Sequence, residues 1–247
     1  TVVATVLSSI GGKTASTVTV SNAIIITGSP AEVTAALVTE ATLVVAADSK
    51  PTISGSPTVS ELNDIAAKCG VITATLAADT AANVNVLTTD AADKITITLN
   101  DTAGSTVVAT VLSSIGGKTA STVTVSNAII ITGSPAEVTA ALVTEATLVV
   151  AADSKPTISG SPTVAELNAI AAKCGVITAT LADGTAATAD GLTTDATDKI
   201  TMTLNDTAGN TVVATVLSSI GGKTASTVTV SNAIIITGSP AEVTAAL

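Results

Sequence analysis

The sequence predicts an α/β repeat protein, an open solenoid of stacked coils that each combine a β-strand with a short helix, with the strands forming a parallel sheet. Three observations predict this fold. The 247-residue chain repeats itself with a period of 105 residues, helical and strand patterns alternate within each period, and the strand patterns have one apolar and one polar face. Such repetition is typical of architectures in which each unit packs against its neighbours.

The repeat divides the chain into two full copies and one partial copy. Residues 1–105 recur as residues 106–210, and residues 1–37 recur a third time as residues 211–247. The two full copies differ at only 11 of 105 positions, which in the first copy are 60, 64, 78, 79, 83, 84, 85, 86, 92, 97 and 105. Because the sequence begins and ends inside a repeat, we expect it to belong to a longer array.

Each copy further divides into four segments in which a turn and capping signal precedes a helical pattern and then a strand pattern. In one period these segments are Asp101–Thr132, Gly133–Ser159, Gly160–Ala182 and Asp183–Asn205. Ser29 with Glu32 three residues later forms a capping box, and Pro30 occupies the preferred first helical position. Thr58 and Glu61 form a second box. The helices should therefore begin directly after these residues.

We expect Asp79 and Asp101 to serve as N-caps in the other two segments. The predicted helices are Ala31–Val38, Thr58–Cys69, about Ala81–Thr88, and Thr106–Ile115. Strands are predicted from period-2 alternation, which is clearest in Lys94–Leu99, where Thr96 and Thr98 alternate with aliphatic residues. The other predicted strands are Thr17–Val20, Ala23–Thr27, Thr42–Ala47, Pro51–Ser54 and Val71–Leu76.

A closed β/α barrel is the alternative architecture, because such barrels typically contain ~250 residues. Barrel strands are covered on both faces and read as continuous apolar runs, whereas the strands predicted here have a threonine face. The helices are also short for the outer ring of a barrel. In a solenoid, each coil would add one strand at a spacing of ~4.8 Å. These arguments favour the open solenoid.

The composition excludes most functional classes. The chain has no Phe, Tyr, Trp or His, and all nine of its basic residues are Lys. It therefore lacks the commonest general base, and we expect no enzyme activity. The net charge of −10 and the absence of aromatic stacking groups argue against a nucleic-acid partner. Apolar runs such as Leu43–Ala47 are far shorter than the ~20 residues of a membrane-spanning helix, so we expect no membrane insertion.

Two kinds of residue, the cysteines and the aspartates near predicted turns, are candidates for chemical sites. Cys69 and Cys174 occur once in each full copy, and we interpret them as small buried apolar residues, with intermolecular cross-linking as the alternative. The aspartates near predicted turns, Asp79, Asp90, Asp93 and Asp101, suit either N-caps or Ca²⁺ ligands. The pairs Asp93-Lys94 and Asp198-Lys199 are interpreted as surface charges. We expect no cofactor, with Ca²⁺ as the one possibility.

Thr-x-Thr pairs are the most suggestive surface feature. If the coils stack in register, these threonines would form a ladder of hydroxyl and methyl groups on one outer face, similar to the ice-binding face of β-solenoid antifreeze proteins. Threonine is also simply a favourable residue at exposed strand positions. The ladder is interrupted at Thr42-Leu43-Val44. Its members are Thr17, Thr19, Thr73, Thr75, Thr96, Thr98, Thr122, Thr124, Thr178, Thr180, Thr201, Thr203, Thr227 and Thr229.

The chain as a whole resembles the repeats of very large cell-surface proteins of cyanobacteria and other bacteria. The resemblance lies in Pro57–Ile65, Gly70–Leu76 and Asp90–Asp101, and in an Ala/Thr/Val-rich composition that is poor in aromatic residues. It implies an extracellular or cell-surface location and offers no catalytic residue. We therefore expect an acidic structural repeat module, a stiff spacer or filament body that associates with further copies of itself end to end or laterally. A module that binds ice, mineral or glycan through the threonine face is the alternative.

Overall fold

The computed structural model describes every residue from 1 to 247 and shows an α/β fold with parallel sheets that hydrogen bonds do not close into a ring. The α/β class and the parallel strand arrangement expected from the sequence are therefore confirmed. The strands are β1 (Val2–Val3), β2 (Val18–Val20), β3 (Ile25–Gly28), β4 (Leu43–Val45), β5 (Lys50–Ile53), β6 (Thr73–Thr75), β7 (Lys94–Leu99), β8 (Thr106–Val108), β9 (Val123–Val125), β10 (Ile130–Gly133), β11 (Leu148–Val149), β12 (Lys155–Ile158), β13 (Thr178–Thr180), β14 (Lys199–Leu204), β15 (Thr211–Val213), β16 (Val228–Val230) and β17 (Ile235–Thr237).

Ten short α-helices alternate with these strands. They are α1 (Ala4–Gly11), α2 (Pro30–Thr34), α3 (Val59–Ala66), α4 (Ala81–Val84), α5 (Ala109–Gly116), α6 (Pro135–Thr139), α7 (Val164–Ala171), α8 (Ala186–Ala189), α9 (Ala214–Gly221) and α10 (Pro240–Ala246). Helices α2 and α6 each continue into a π-helical turn, Ala35–Thr39 and Ala140–Thr144. No helix has the length and apolar character needed to cross a membrane.

The chain forms two compact units. The first contains Thr1–Asp101, Val111–Ser126 and Glu145–Val149, and the second contains Thr102–Thr110, Asn127–Thr144 and Val150–Leu247. The first unit holds a seven-stranded sheet of order β1-β3-β5-β6-β7-β9-β11 and a two-stranded sheet, β2-β4. From one edge of the larger sheet to the other, each strand comes later in the chain than the strand that it is added to. The strands are thus added to this sheet in chain order.

The sheet of the first unit crosses the boundary between two copies of the repeat. Strand β7 belongs to the first copy and β9 to the second, yet they pair in parallel with Ile97 opposite Val123, Thr98 opposite Thr124, and Leu99 opposite Val125. In the second unit, a six-stranded sheet of order β8-β10-β12-β13-β14-β16 has the equivalent crossing between β14 and β16. The two-stranded sheet β15-β17 completes that unit. The repeat copies are therefore joined by backbone hydrogen bonds.

The core is built from aliphatic residues of the strands and helices. The inward residues of β7, Ile95, Ile97 and Leu99, are fully buried, as are Leu62 and Ile65 on the inner side of α3. This pattern agrees with the period-2 alternation of the strand and with the helical spacing of the apolar residues. Aliphatic side chains thus fill the layer between strands and helices without a single aromatic ring.

The predicted capping boxes are confirmed. The Ser29 hydroxyl accepts a hydrogen bond from the Glu32 amide, and the Glu32 carboxylate accepts from the Ser29 amide at 2.8 Å. Thr58 and Glu61 form the same reciprocal pair at α3. The hydrogen bonds from Ser29 lower the pKa of Glu32. A lowered carboxyl pKa means that this contribution to stability is present above the unfolded-state pKa and is lost as the pH falls through the folded-state value.

The expectations for the other two helices were partly wrong. Residues Thr106–Val108 form strand β8, and α5 begins only at Ala109, because the β-branched residues alternate between a buried Val107 and exposed neighbours. The N-cap of α4 is Thr80, and neither aspartate occupies that position. Asp101 instead accepts a hydrogen bond from the amide of Ala81, the first residue of α4. Asp101 therefore caps α4, a helix of the preceding segment that begins 20 residues earlier in the chain.

The differences between the two full copies cluster on one part of the fold. Eight of the 11 lie between positions 60 and 86, on α3, α4, the chain that joins them and the two residues that follow α4. In the core, Ile97 is replaced by Met202, and both side chains are fully buried. Methionine adapts to the space of an isoleucine because it is unbranched and flexible. The strands otherwise have the same sequence in both copies.

Candidate functional site

The outward face of each larger sheet carries rows of threonine. On the first unit, Thr27, Thr52 and Thr73 are direct partners on the adjacent strands β3, β5 and β6, and the row continues to Lys94 on β7. Neighbouring members of such a row lie ~4.8 Å apart. We call this surface, with the other outward residues of the same strands, the Thr/Lys face. It is the most regular surface feature of the protein.

Two further threonine pairs extend the Thr/Lys face of the first unit. Thr75 pairs with Thr96 between β6 and β7, and Thr98 pairs with Thr124 between β7 and β9. The second unit repeats this arrangement. Its rows are Thr132–Thr157–Thr178–Lys199, Thr180–Thr201 and Thr203–Thr229.

Not every predicted ladder residue lies within a strand. Thr17, Thr122 and Thr227 are exposed and each immediately precedes a strand, β2, β9 and β16 respectively. The backbone carbonyl of Thr122 nevertheless accepts a hydrogen bond from Ile97 at 3.0 Å. Thr19 pairs with Val44, at the position where the sequence indicated an interruption of the ladder. The predicted residues thus form several short rows.

Sequence reasoning missed Thr27 and Thr52 and their equivalents in the second copy. Each is the only threonine of its strand, so neither shows the Thr-x-Thr pattern. The sequence nevertheless contained a signal, because in both strands the threonine is preceded and followed by residues that point to the opposite face of the sheet. Only the register of pairing shows that Thr73 faces Thr52 on one side and Lys94 on the other.

The Thr/Lys face carries positive charge only. Lys50 begins β5 and Lys94 begins β7, and both are exposed, as are Lys155 and Lys199 in the second unit. None of the 19 acidic residues of the chain lies in any strand. A protein with a net charge of −10 therefore has strands without a single carboxylate, although Asp79 forms an isolated bridge with Leu99 of β7.

The interpretation of Asp93 and Asp198 as surface charges was wrong. Asp93 is 7 % exposed and Asp198 is 6 % exposed. The Asp93 carboxylate accepts hydrogen bonds from the amides of Ile72 at 2.7 Å and Asp90 at 3.0 Å. Burial of a carboxylate is tolerated where backbone amides satisfy its oxygens in this way. Lys94, by contrast, is exposed as expected.

The remaining aspartates considered as Ca²⁺ ligands also bond to the protein itself. Asp79 accepts from the amide of Thr80 and from the side chain of Asn83, both at 2.8 Å. Asp90 accepts from the amide of Ala92 at 2.7 Å. The structure contains no group of three or more carboxylate or thiol side chains that could hold a metal ion.

Both cysteines are free thiols in half-buried positions. The Cys69 thiol donates to the carbonyl of Ile65 at 3.0 Å, and Cys174 donates to Ile170 at 3.1 Å. Burial, and secondarily the negative charge of Asp93, raises the pKa of Cys69 to about 12. Because the thiolate is the reactive form, a thiol with this pKa is poorly suited to form intermolecular disulfides near neutral pH. A cavity of about 240 Å³ beside Cys69 recurs beside Cys174 with about 230 Å³.

Hydrogen bonds from the buried Thr119 and the half-buried Lys118 join the second copy to the first. Thr119, which belongs to the second copy, is 1 % exposed, and its hydroxyl oxygen accepts from the Ile95 amide of the first copy at 2.9 Å. The same hydroxyl donates to the Ile95 carbonyl at 2.8 Å. Lys118 donates from its ammonium group to the carbonyl of Leu87 at 2.6 Å. Thr224 and Lys223 repeat these contacts one period later.

No known protein family, characterised protein or solved structure matches this chain.

Proposed function

We propose that the chain is a structural repeat module, an open solenoid that serves as a stiff spacer or filament body in an extracellular, cell-surface or fibrous assembly. The observation that carries this proposal is the pairing of β7 with β9, through which strands of two successive copies belong to one sheet. Copies joined in this way have no flexible linker at the point of pairing. A spacer built from them would therefore resist bending between copies.

The solenoid is supported by the order in which strands enter each sheet. In the first unit, each added strand lies later in the chain, and a helix lies between most successive strands of the sheet. Register partners such as Thr27, Thr52 and Thr73 are 25 and 21 residues apart. One coil of chain thus separates one strand from the next, which is the geometry of a stack.

The turn between copies is short and geometrically defined. Six residues separate Leu99 at the end of β7 from Thr106 at the start of β8. Gly104 lies within them at a φ of 79°, a left-handed conformation that other residues rarely adopt. Its amide donates to the carbonyl of Ala128 at 2.7 Å. This hydrogen bond holds the turn against the chain just before β10.

The near-identity of the copies suits a spacer, because the function of a spacer depends on its length. Positions 1–37 are identical in all three copies although many of these residues are exposed. The extracellular setting rests on the resemblance to cell-surface repeats described above. We propose no enzyme activity, because the composition lacks histidine, the commonest general base.

Surface binding through the threonine rows is the second candidate function. It is favoured by the alignment of Thr27, Thr52 and Thr73 on adjacent strands. The row ends, however, at Lys94, whose strongly hydrated ammonium group interrupts the array of hydroxyl and methyl groups. We therefore rank ice binding below the structural role, and thermal hysteresis in a solution of the native chain would reverse that ranking.

Electron microscopy of longer arrays tests the structural role. For a chain of eight 105-residue copies we expect straight, uniform rods, because each junction between copies would be held by strand pairing such as that of β7 with β9. A matched chain with a flexible Gly/Ser linker of about 15 residues between copies should instead show bent, beaded particles. If the two chains have the same distribution of bending angles, the copies do not act as a stiff spacer.

A further inference from the structure

The distribution of charge divides this protein into two kinds of surface. The Thr/Lys face of the first unit has Lys50 and Lys94, that of the second unit has Lys155 and Lys199, and no strand of either sheet contains a carboxylate. All 19 acidic residues lie in helices, turns and loops. The strands therefore carry charge opposite in sign to the net charge of the chain, while the exposed Asp48 and Asp90 lie two and four residues before Lys50 and Lys94.

The Thr/Lys face also exposes aliphatic side chains. Ile25, opposite Lys50 in the register of β3 and β5, is 45 % exposed, and Val108 on β8 is 46 % exposed. Threonine methyl groups add apolar area around them. A surface that combines exposed apolar residues with charge of one sign is typical of a contact surface.

We propose that the Thr/Lys face of one chain binds the exposed aspartates of a second copy of the same chain. This inference rests on the proposed structural function, and it names the partner and the surface by which such modules would associate laterally. The acceptors on the second copy are the turn aspartates Asp48 and Asp90, which are exposed and recur as Asp153 and Asp195.

The period of the repeat is the reason for choosing a second copy as the partner. Lys94 and Lys199 are 105 residues apart, and so are Asp90 and Asp195. Two arrays of the same repeat therefore present lysines and aspartates at the same interval, and one matched contact places every later contact in register. An anionic polysaccharide offers opposite charge but has no reason to share this interval.

Repetition also explains how weak contacts could suffice. An exposed Lys–Asp pair contributes little by itself, because solvent screens it and both side chains lose conformational freedom. Successive contacts along one chain become intramolecular after the first, so their effects multiply. Because Lys94 follows Asp90 by four residues, each copy offers both charges, and contacts of this kind can continue into a sheet or bundle. Lateral association should therefore strengthen as copies are added.

Charge reversal on the Thr/Lys face tests this inference. We would compare the 247-residue chain with Lys94→Glu/Lys199→Glu and with the control Lys68→Glu/Lys173→Glu. The control makes the same change in net charge, also once per full copy, at exposed lysines outside the strands. In sedimentation equilibrium at 150 mM NaCl, about physiological ionic strength, the face variant should associate at least about tenfold more weakly than the native chain. The control should stay within about threefold of it.

A second pair of substitutions, Lys50→Glu/Lys155→Glu, should give the same loss, and far-UV circular dichroism verifies that each variant is folded. The inference is overturned if the native chain stays monomeric at millimolar concentration, or if both pairs of face substitutions weaken association no more than the control does. It is also overturned if a monomeric chain binds alginate through Lys94, which would assign the face to an anionic glycan. Straight rods in the eight-copy array would leave the spacer function standing in each case.

Discussion

Replacing Asp93 and Asp198 by alanine should destabilise the protein by about 3 kcal/mol at each site. The Asp93 carboxylate is buried and accepts hydrogen bonds from the amides of Ile72 and Asp90, so its removal leaves both amides without an acceptor. Ile72 lies just before β6, and its own carbonyl accepts from Lys94 at the start of β7. Loss of the carboxylate therefore weakens the point at which two strands begin to pair.

Urea unfolding followed by far-UV circular dichroism measures this effect, because the chain has no aromatic residue for fluorescence. Asp90→Ala with Asp195→Ala is the matched control. These aspartates lie on the same turns but are exposed, so their loss should cost less than about 1 kcal/mol per site. Equal destabilisation by the two pairs of substitutions would mean that the carboxylates of Asp93 and Asp198 do not hold the strand ends.

Replacing Thr119 by valine should destabilise the junction between the first two copies by about 2 kcal/mol. Valine keeps the shape of threonine and removes only the hydroxyl. That hydroxyl accepts from the amides of Ile95 and Ser121 and donates to the carbonyl of Ile95, all in a buried position. The substitution thus leaves a buried strand amide unsatisfied without creating a cavity.

The repeat supplies an unusually close control for this substitution. Thr14 is the same residue one period earlier, but it is exposed, and its hydroxyl accepts from the nearby amide of Ser16 at 3.0 Å. Thr14→Val should therefore change the free energy of unfolding by less than about 0.5 kcal/mol. Hydrogen exchange at the Ile95 amide should accelerate in Thr119→Val and not in Thr14→Val. The same rate in both variants would contradict the assigned role of Thr119.

The features that local sequence could predict are those set by a few consecutive residues. Strand β7 was predicted with its observed bounds because six residues alternate without interruption. The capping boxes at Ser29 and Thr58 were predicted because each needs only the residue three positions later. The α/β class followed from the alternation of these two patterns. Local chemistry was sufficient in each case.

The features that local sequence could not predict depend on contacts between distant residues. Asp93 was interpreted as a surface charge because nothing near it in the sequence indicates that the Ile72 amide, 21 residues away, would reach it. The row of Thr27, Thr52 and Thr73 depends on register, which is fixed only when the strands pair. Thr14 and Thr119 have identical neighbours in sequence and yet differ in burial. Thr119 is buried against residues of the preceding copy such as Ile95, and these distant contacts, not the local sequence, decide that difference.

Cross-linking across the boundary between copies tests most directly whether strand pairing joins them. In a background with Cys69 and Cys174 replaced by serine, Thr98→Cys with Thr124→Cys places two thiols on direct partners of β7 and β9. Their Cα atoms should lie ~4.8 Å apart, within the range of a disulfide. The offset pair Thr96→Cys with Thr124→Cys should lie about 8 Å apart, beyond that range. We expect nearly complete intramolecular oxidation of the first pair and little of the second. Similar yields for both pairs would mean that β7 and β9 do not pair in this register.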